Sequence, residues 1–317
     1  MTDTQNEVFK TPVNKIRLFE HGAPGSQNLK LTRKYYTEDM PDGRVKHIVQ
    51  NITDPDIVPY IPDGIGNSTD RQRIPAVLII PGGAFRRLVY NFEGEDVAKW
   101  LNSMGIAAFV LECRLPSDEH DNAEDVPLID AMRAMRVIRG RAQEFGIDEA
   151  KIGVMGFSAG GFMAALLSTA YESDVYVDYK YKDEYDKLSA RPDFAVCSYP
   201  VISIDDCIEA GKRYMSEEQV LERISDSKAK ILHKYNPDKL VRPDMPPVFI
   251  CETDDDRTTL SENSVGFYMA ARKAGVSAEL HIFRTGGHGY GCGDDFAQTG
   301  EWKVLFTKWI KSIEIIS

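Results

Sequence analysis

The run Lys151-Ile-Gly-Val-Met-Gly-Phe-Ser-Ala-Gly-Gly-Phe-Met-Ala-Ala-Leu-Leu167 decides the reading of this chain. Ile152 to Phe157 is an apolar run of strand length, and Phe162 to Leu167 is a run of good helix formers. Between them stands Gly156-Phe157-Ser158-Ala159-Gly160, a G-x-S-x-G pentapeptide. A strand, a sharp turn carrying serine and then a helix is the context of a nucleophile elbow. The turn holds the serine in a strained backbone geometry, so its neighbours two positions away must be small. Gly156 and Gly160 meet that demand. The helix that follows aims free N–H groups and the positive end of its dipole at Ser158, where both stabilise an oxyanion.

Outward from this run, strands and helices alternate. Ala76 to Ile80, Ile106 to Leu111, Phe194 to Tyr199, Pro247 to Cys251 and Leu280 to Phe283 read as buried strands. Glu93 to Met104 reads as a helix with Val97, Ala98, Leu101 and Met104 on one face. Pro127 to Phe145 reads as another, with Pro127 suited to its first turn and Leu128, Ala131, Met132, Met135 and Ile138 as its stripe. A last helix, Glu301 to Ile313, sets Trp302, Leu305, Phe306, Trp309, Ile310 and Ile313 on one stripe that docks on the sheet. This alternation predicts an α/β fold, a doubly wound, mostly parallel sheet covered on both faces.

The whole chain, 1–317, reads as one domain. Residues 1–75 form a polar edge segment, in which Lys46 to Ile52 and Ile57 to Tyr60 are candidate antiparallel strands. Two stretches break the rhythm, about 171–191 and about 205–246. Both leave the carboxyl edge of the sheet, where such sheets hold their sites, and read as a small cap-like helical excursion over the site. Tyr176, Tyr179 and Tyr181 in the first stretch are candidate substrate contacts, because a tyrosine ring offers both an apolar face and a hydroxyl. The alternative is that they pack the excursion onto the body.

The chain has 317 residues, 43% hydrophobic and 27% charged, with net charge −11. That length buries a sizeable core. The acidic balance argues against nucleic acid and anionic membranes as partners, since no basic excess is available to meet phosphate. Five cysteines without a C-x-x-C pair argue against a disulfide framework or a zinc site. Met1 to Lys10 lacks an apolar segment, and no window is long and apolar enough to span a bilayer; a cytoplasmic location is the expectation.

Serine needs a base at neutral pH. Of six histidines, His288 stands in Gly286-Gly287-His288-Gly289-Tyr290-Gly291, a glycine-rich loop just after a strand, from which it reaches over the sheet edge. The base needs an acid to fix its tautomer and stabilise its charged form. Asp254-Asp255-Asp256 follows the strand ending at Cys251, and spacing alone does not separate the three. The run lacks the alternating oxygen ligands of a calcium loop. The order serine, aspartate, histidine is that of the α/β-hydrolases. The oxyanion needs N–H donors: one is Ala159, directly after the serine, and others belong to the loop Pro81-Gly82-Gly83-Ala84.

With these segments together, the chain resembles an α/β-hydrolase of the esterase/lipase type, and more closely the bacterial acetyl-xylan/feruloyl esterase-like group. The resemblance rests on Leu18-Phe19-Glu20-His21-Gly22-Ala23-Pro24-Gly25, Pro81-Gly82-Gly83-Ala84-Phe85, Glu93-Gly94, Ile152 to Gly161, Tyr199-Pro200-Val201, Thr253 to Ser264 and Glu279 to Gly291. In that family the acid precedes a Val-Pro pair and a Glu-Asn-Ser. Glu262-Asn263-Ser264 is present, and counting back selects Asp256; Thr259-Leu260 replaces Val-Pro, which leaves Asp255 as runner-up. Ala84 stands where the family's oxyanion segment has a third glycine.

The resemblance implies hydrolysis of carboxylic esters through an acyl-enzyme. Ser158 attacks, His288 moves the proton, Asp256 orients His288, and Gly83, Ala84 and Ala159 hold the oxyanion. It implies no metal and no organic cofactor. The implied substrate is a small-molecule ester, an acetylated or feruloylated xylo-oligosaccharide. A general short-chain carboxylesterase, a peptidase of prolyl-oligopeptidase type and an inactive hydrolase fold used as a binding module are the alternatives.

Overall fold

Runs of β-branched and aliphatic residues form the sheet that the alternation predicts. The computed structural model describes residues 9, 12–65, 73–225, 229–293 and 298–316. In chain order the strands are β1 (Ile16–Arg17), β2 (Lys34–Asp39), β3 (Val45–Gln50), β4 (Asp56–Tyr60), β5 (Ile74–Ile80), β6 (Leu88–Val89), β7 (Ala107–Glu112), β8 (Ile147–Phe157), β9 (Ala195–Ser198), β10 (Val248–Thr253) and β11 (Ala278–Phe283). Eight of them form one sheet in the order β1-β4-β7-β5-β8-β9-β10-β11. The pairings β1/β4 and β4/β7 are antiparallel; all those from β7 to β11 are parallel. β2, β3 and β6 make a separate antiparallel sheet. The edge strands expected in the N-terminal segment are therefore divided between two sheets.

The helices are α1 (Asp96–Ser103), α2 (Val126–Gly140), α3 (Ala142–Phe145), α4 (Ala159–Ala170), α5 (Ile204–Tyr214), α6 (Glu217–Ser225), α7 (Ala229–Lys234), α8 (Ser261–Lys273) and α9 (Trp302–Ser312). Two differ from expectation. The first begins as a π-helical turn, Asn91–Glu95, before α1. The helix expected over 127–145 breaks at Arg141, whose φ of −103° and ψ of 16° end α2. Gly140, a poor helix former, precedes the break; a Cβ there would lie 2.3 Å from the Tyr185 ring, so glycine admits that ring at the cost of helix continuity.

Strands β7, β9 and β10, with β5 after Ile74 and β8 from Ile152 to Phe157, are buried on both faces, as parallel strands under two helical layers must be. On α9, Trp302, Phe306, Trp309 and Ile310 are buried against the sheet, and Leu305 and Ile313 are partly buried beside them. Helices α5, α6 and α7 lie between β9 and β10 and contact one another; residues 226–228 of the 205–246 excursion lie outside the described residues. Among the described residues no helix is long and apolar enough to cross a membrane.

Candidate active site

Ser158 lies between β8 and α4 with φ 54° and ψ −119°, a conformation that costs a residue bearing a Cβ about 1–3 kcal/mol. The surrounding backbone holds it there. Its N–H donates to Ser198 O at 3.0 Å. The chain passes so close that a Cβ on Gly160 would stand 1.9 Å from Ile80 O, and one on Gly156 1.9 Å from Gly160 O. Small residues at these two positions are therefore obligatory.

The loop after β11 brings His288 to the serine: Nε2 is 2.8 Å from Ser158 Oγ. On its other side, Nδ1 is 2.6 Å from Asp256 Oδ2. The loop after β10 gives its three aspartates three different partners. Asp254 accepts from Ser261 Oγ at 3.3 Å. Asp255 Oδ1 accepts the N–H groups of Gly286 and Gly287, at 2.9 and 2.8 Å. Asp256 is buried; its Oδ1 accepts from the N–H groups of Thr258 and Thr259 at 2.7 and 3.0 Å, and its Oδ2 from Thr259 Oγ1 at 2.9 Å. Burial alone would raise its pKa. The His288 hydrogen bond and charge, with the Thr259 and Thr258 N–H groups, outweigh burial and hold it below the usual carboxylate value. Glu252, buried at the foot of the same loop, is pushed well up by desolvation and by Asp256 itself.

Opposite the serine runs the loop after β5. The Gly83, Ala84 and Ala159 N–H groups have no hydrogen-bond acceptor among the described residues, whereas Gly82 N–H donates to Glu93 Oε2 at 2.9 Å. Gly83 has φ 138°, and a Cβ on it would lie 2.1 Å from Arg87 O. Ala84 and Phe85 follow at φ 57° and 58°, in the left-handed region. Alanine in place of a third glycine thus costs on the order of 1 kcal/mol of backbone strain. Phe85 packs edge-on against Phe162 of α4, with ring centroids 5.5 Å apart.

The tyrosines of 171–191 pack the excursion onto the body. Tyr176 is buried, its hydroxyl bonded to Asp186 at 2.8 Å and to Arg136 of α2. Tyr179 donates to Gly22 O at 2.9 Å and packs edge-on to Phe19. Tyr181 is 43% exposed and lies against His21 and Tyr179. Arg133 and Arg136 of α2 bind the carboxylates and hydroxyls of this stretch, so it is drawn onto α2 and the Leu18–Gly22 loop. No contact joins any of the three tyrosines to Ser158 or His288 among the described residues.

Two residues next to the triad were given no role from sequence. Glu93 is buried beneath Gly82, and Tyr199, right after β9, packs its ring 5.0 Å from that of His288. Both stand in the segments that carry the resemblance, which was the available signal. Among the described residues no cluster of three or more His, Cys, Asp or Glu is arranged to hold a metal.

A parallel sheet with a serine elbow after β8, an acid after β10 and a histidine after β11 defines an α/β-hydrolase. Within that class the chain belongs to the BD-FAE family, whose model matches residues 65–270. It is 31% identical over 240 residues to an acetylxylan esterase of Xylanibacter ruminicola, a match covering 75% of this chain and 45% of that protein. It is 31% identical over 227 residues to endo-1,4-beta-xylanase B of Butyrivibrio fibrisolvens, covering 71% of this chain and 34% of that one. The chain thus spans less than half the length of these curated relatives. The crystal structure of an acetyl ester-xyloside bifunctional hydrolase from Caldicellulosiruptor lactoaceticus is similar, with 34% identity, a TM-score of 0.69, and coverage of 96% of this chain and 97% of that one.

Proposed function

We propose that this chain is a serine carboxylic-ester hydrolase that removes acetyl groups from xylo-oligosaccharides or related sugars, acting in the cytoplasm. The observation that carries the reading is the hydrogen-bonded chain from Ser158 through His288 to Asp256, at 2.8 and 2.6 Å, beside a loop whose Gly83 and Ala84 N–H groups, like that of Ala159, have no acceptor among the described residues. His288 Nε2 takes the serine proton as Oγ attacks the ester carbonyl. Asp256 holds Nδ1–H and stabilises the imidazolium that forms. The carbonyl oxygen gains charge, and the Gly83, Ala84 and Ala159 N–H groups stabilise it. Collapse of the tetrahedral intermediate expels the alcohol, which receives the proton from His288. Water, deprotonated by the same nitrogen, then attacks the acyl-enzyme and releases the acid. The acetyl-sugar assignment is supported by the names of the acetylxylan esterase and the bifunctional hydrolase that the chain resembles.

A fluorophosphonate probe tests the nucleophile: wild type labels and Ser158→Ala does not. Specificity constants on acetylated xylobiose and on aryl esters of increasing acyl length test the substrate. The reading predicts a preference for acetyl over longer acyl groups and for the sugar over a plain aryl acetate. Preference for longer acyl chains with no sugar advantage replaces it with a general carboxylesterase.

A further inference from the structure

Glu93 is a carboxyl only 5% exposed, and neither oxygen touches the substrate machinery directly. Its two oxygens serve two different loops. Oε2 accepts from Gly82 N–H at 2.9 Å, in the loop that presents Gly83 and Ala84. Oε1 accepts from the Tyr199 hydroxyl at 2.9 Å. That hydroxyl in turn accepts from Gly291 N–H at 3.0 Å, in the loop that carries His288. The Tyr199 carbonyl lies 3.3 Å from Thr259 Oγ1, the same hydroxyl that meets Asp256. Tyr199 is itself held at φ 37°, a strained conformation that persists only where its surroundings fix it.

Space around this link is as constrained as its hydrogen bonds. A Cβ on Gly82 would stand 2.4 Å from Phe157 O, 2.7 Å from Glu93 Oε2 and 2.9 Å from Ser158 Cβ. The backbone of Gly82 is therefore clasped between the glutamate and the nucleophile. A Cβ on Gly291 would lie 2.7 Å from Phe92 O, so the histidine loop rests on the turn that presents Glu93.

We propose that Glu93 is a positioning residue for the ester hydrolysis assigned above: it fixes Gly82 so that the next two N–H groups aim at the oxyanion, and through Tyr199 it locks that loop to the one bearing His288. The inference rests on that assignment. A carboxyl group suits the task because Gly82 N–H and the Tyr199 hydroxyl both donate and its two oxygens accept, although burial pushes its pKa up. Glutamine keeps the shape but turns an N–H₂ group toward one of the two donors. Oxyanion donors act mainly in the transition state, so their misalignment lowers kcat and spares KM.

The test compares wild type, Glu93→Gln and Tyr199→Phe on p-nitrophenyl acetate, with active sites titrated by a fluorophosphonate. A second arm measures binding of phenylboronic acid, which forms a tetrahedral adduct on the serine. The expectation is a kcat per labelled serine lowered about tenfold to a hundredfold in Glu93→Gln and about fivefold to tenfold in Tyr199→Phe, with KM within about twofold. Boronate affinity should fall in parallel. Where Glu93→Gln does not fold, Tyr199→Phe, which deletes one oxygen, decides by the same criterion. A kcat per labelled serine within about twofold of wild type in the deciding variants means that Glu93 only supports the fold, and overturns the inference. A wild-type protein that neither labels nor turns over the ester overturns the esterase assignment and the inference with it.

Discussion

Asp255 holds Gly287: one carboxylate oxygen accepts the N–H of that residue at 2.8 Å, and that of Gly286 at 2.9 Å, so the neighbour of the triad's acid ties down the histidine loop. Adjacent aspartates therefore divide one task, one holding the imidazole and the other its backbone. Asp256→Asn should lower kcat by roughly a thousandfold or more, because it presents the wrong partner to Nδ1. Asp255→Ala should cost about tenfold, the scale of two backbone hydrogen bonds at an exposed loop. Steady-state rates on an aryl acetate check both, and a reversed ranking assigns the acid to Asp255.

Ser158 stores backbone strain that only glycine avoids. Ser158→Ala and Ser158→Gly should both lose about a thousandfold or more in kcat. The glycine variant should also be about 1 kcal/mol more stable than the alanine variant by urea unfolding. Equal stabilities would mean that the elbow carries no strain.

Gly160→Ala places a methyl carbon 1.9 Å from a backbone oxygen that belongs to β5 and has nowhere to move. Destabilisation by about 3 kcal/mol or more is expected. Gly266 of α8 is the control, since a Cβ there meets nothing within 4 Å. Gly266→Ala should stabilise by about 0.5–1 kcal/mol through helix propensity. Thermal or urea denaturation of the pair separates close approach from a general intolerance of substitution.

His120 is 5% exposed, 3.1 Å from Ser26 Oγ, and burial followed by the charge of Arg114 depresses its pKa to about 4. Its folded value lies below its unfolded one. The stability it contributes is present above about pH 6.5 and lost as pH falls toward about 4. Asp118, raised by burial to about 6, acts in the opposite sense, its contribution present at low pH and lost as pH rises through about 6. The two oppose each other in one window and flatten the wild-type profile. His120→Asn removes one of them. The Tm of wild type minus that of the variant should therefore shrink between pH 7 and 4.5, by an amount equivalent to about 2 kcal/mol. A constant difference would place the proton elsewhere.

The strands of the parallel sheet were legible because burial on both faces leaves unbroken apolar runs, as in Ala76 to Ile80 and Ile152 to Phe157. Ser158 was legible because its turn imposes glycines at fixed positions. Asp256 was not separable from its neighbours by spacing, since successive loop residues point wherever their partners pull them. Glu93 and Tyr199 carry no role in the sequence: a glutamate at the start of a helix has no partner visible along the chain, and only three-dimensional proximity turns it to Gly82. The packing of the tyrosines of 171–191 depends on side chains elsewhere in the chain. Chain order after α4 suggests the site, but Arg133 and Arg136 draw that stretch onto α2.

The edge position of β11 has a temporal meaning. Its six residues register on β10 from Val248 opposite Ala278 to Thr253 opposite Phe283, and His288 follows five positions later. Ser158 precedes its base by 130 residues. A ribosome-bound nascent chain with every other sheet strand already exposed would carry the elbow and the acid but no proton acceptor. Under the proposed hydrolysis, a chain whose β11 has not yet docked holds no base beside Ser158, whatever else of the sheet has formed.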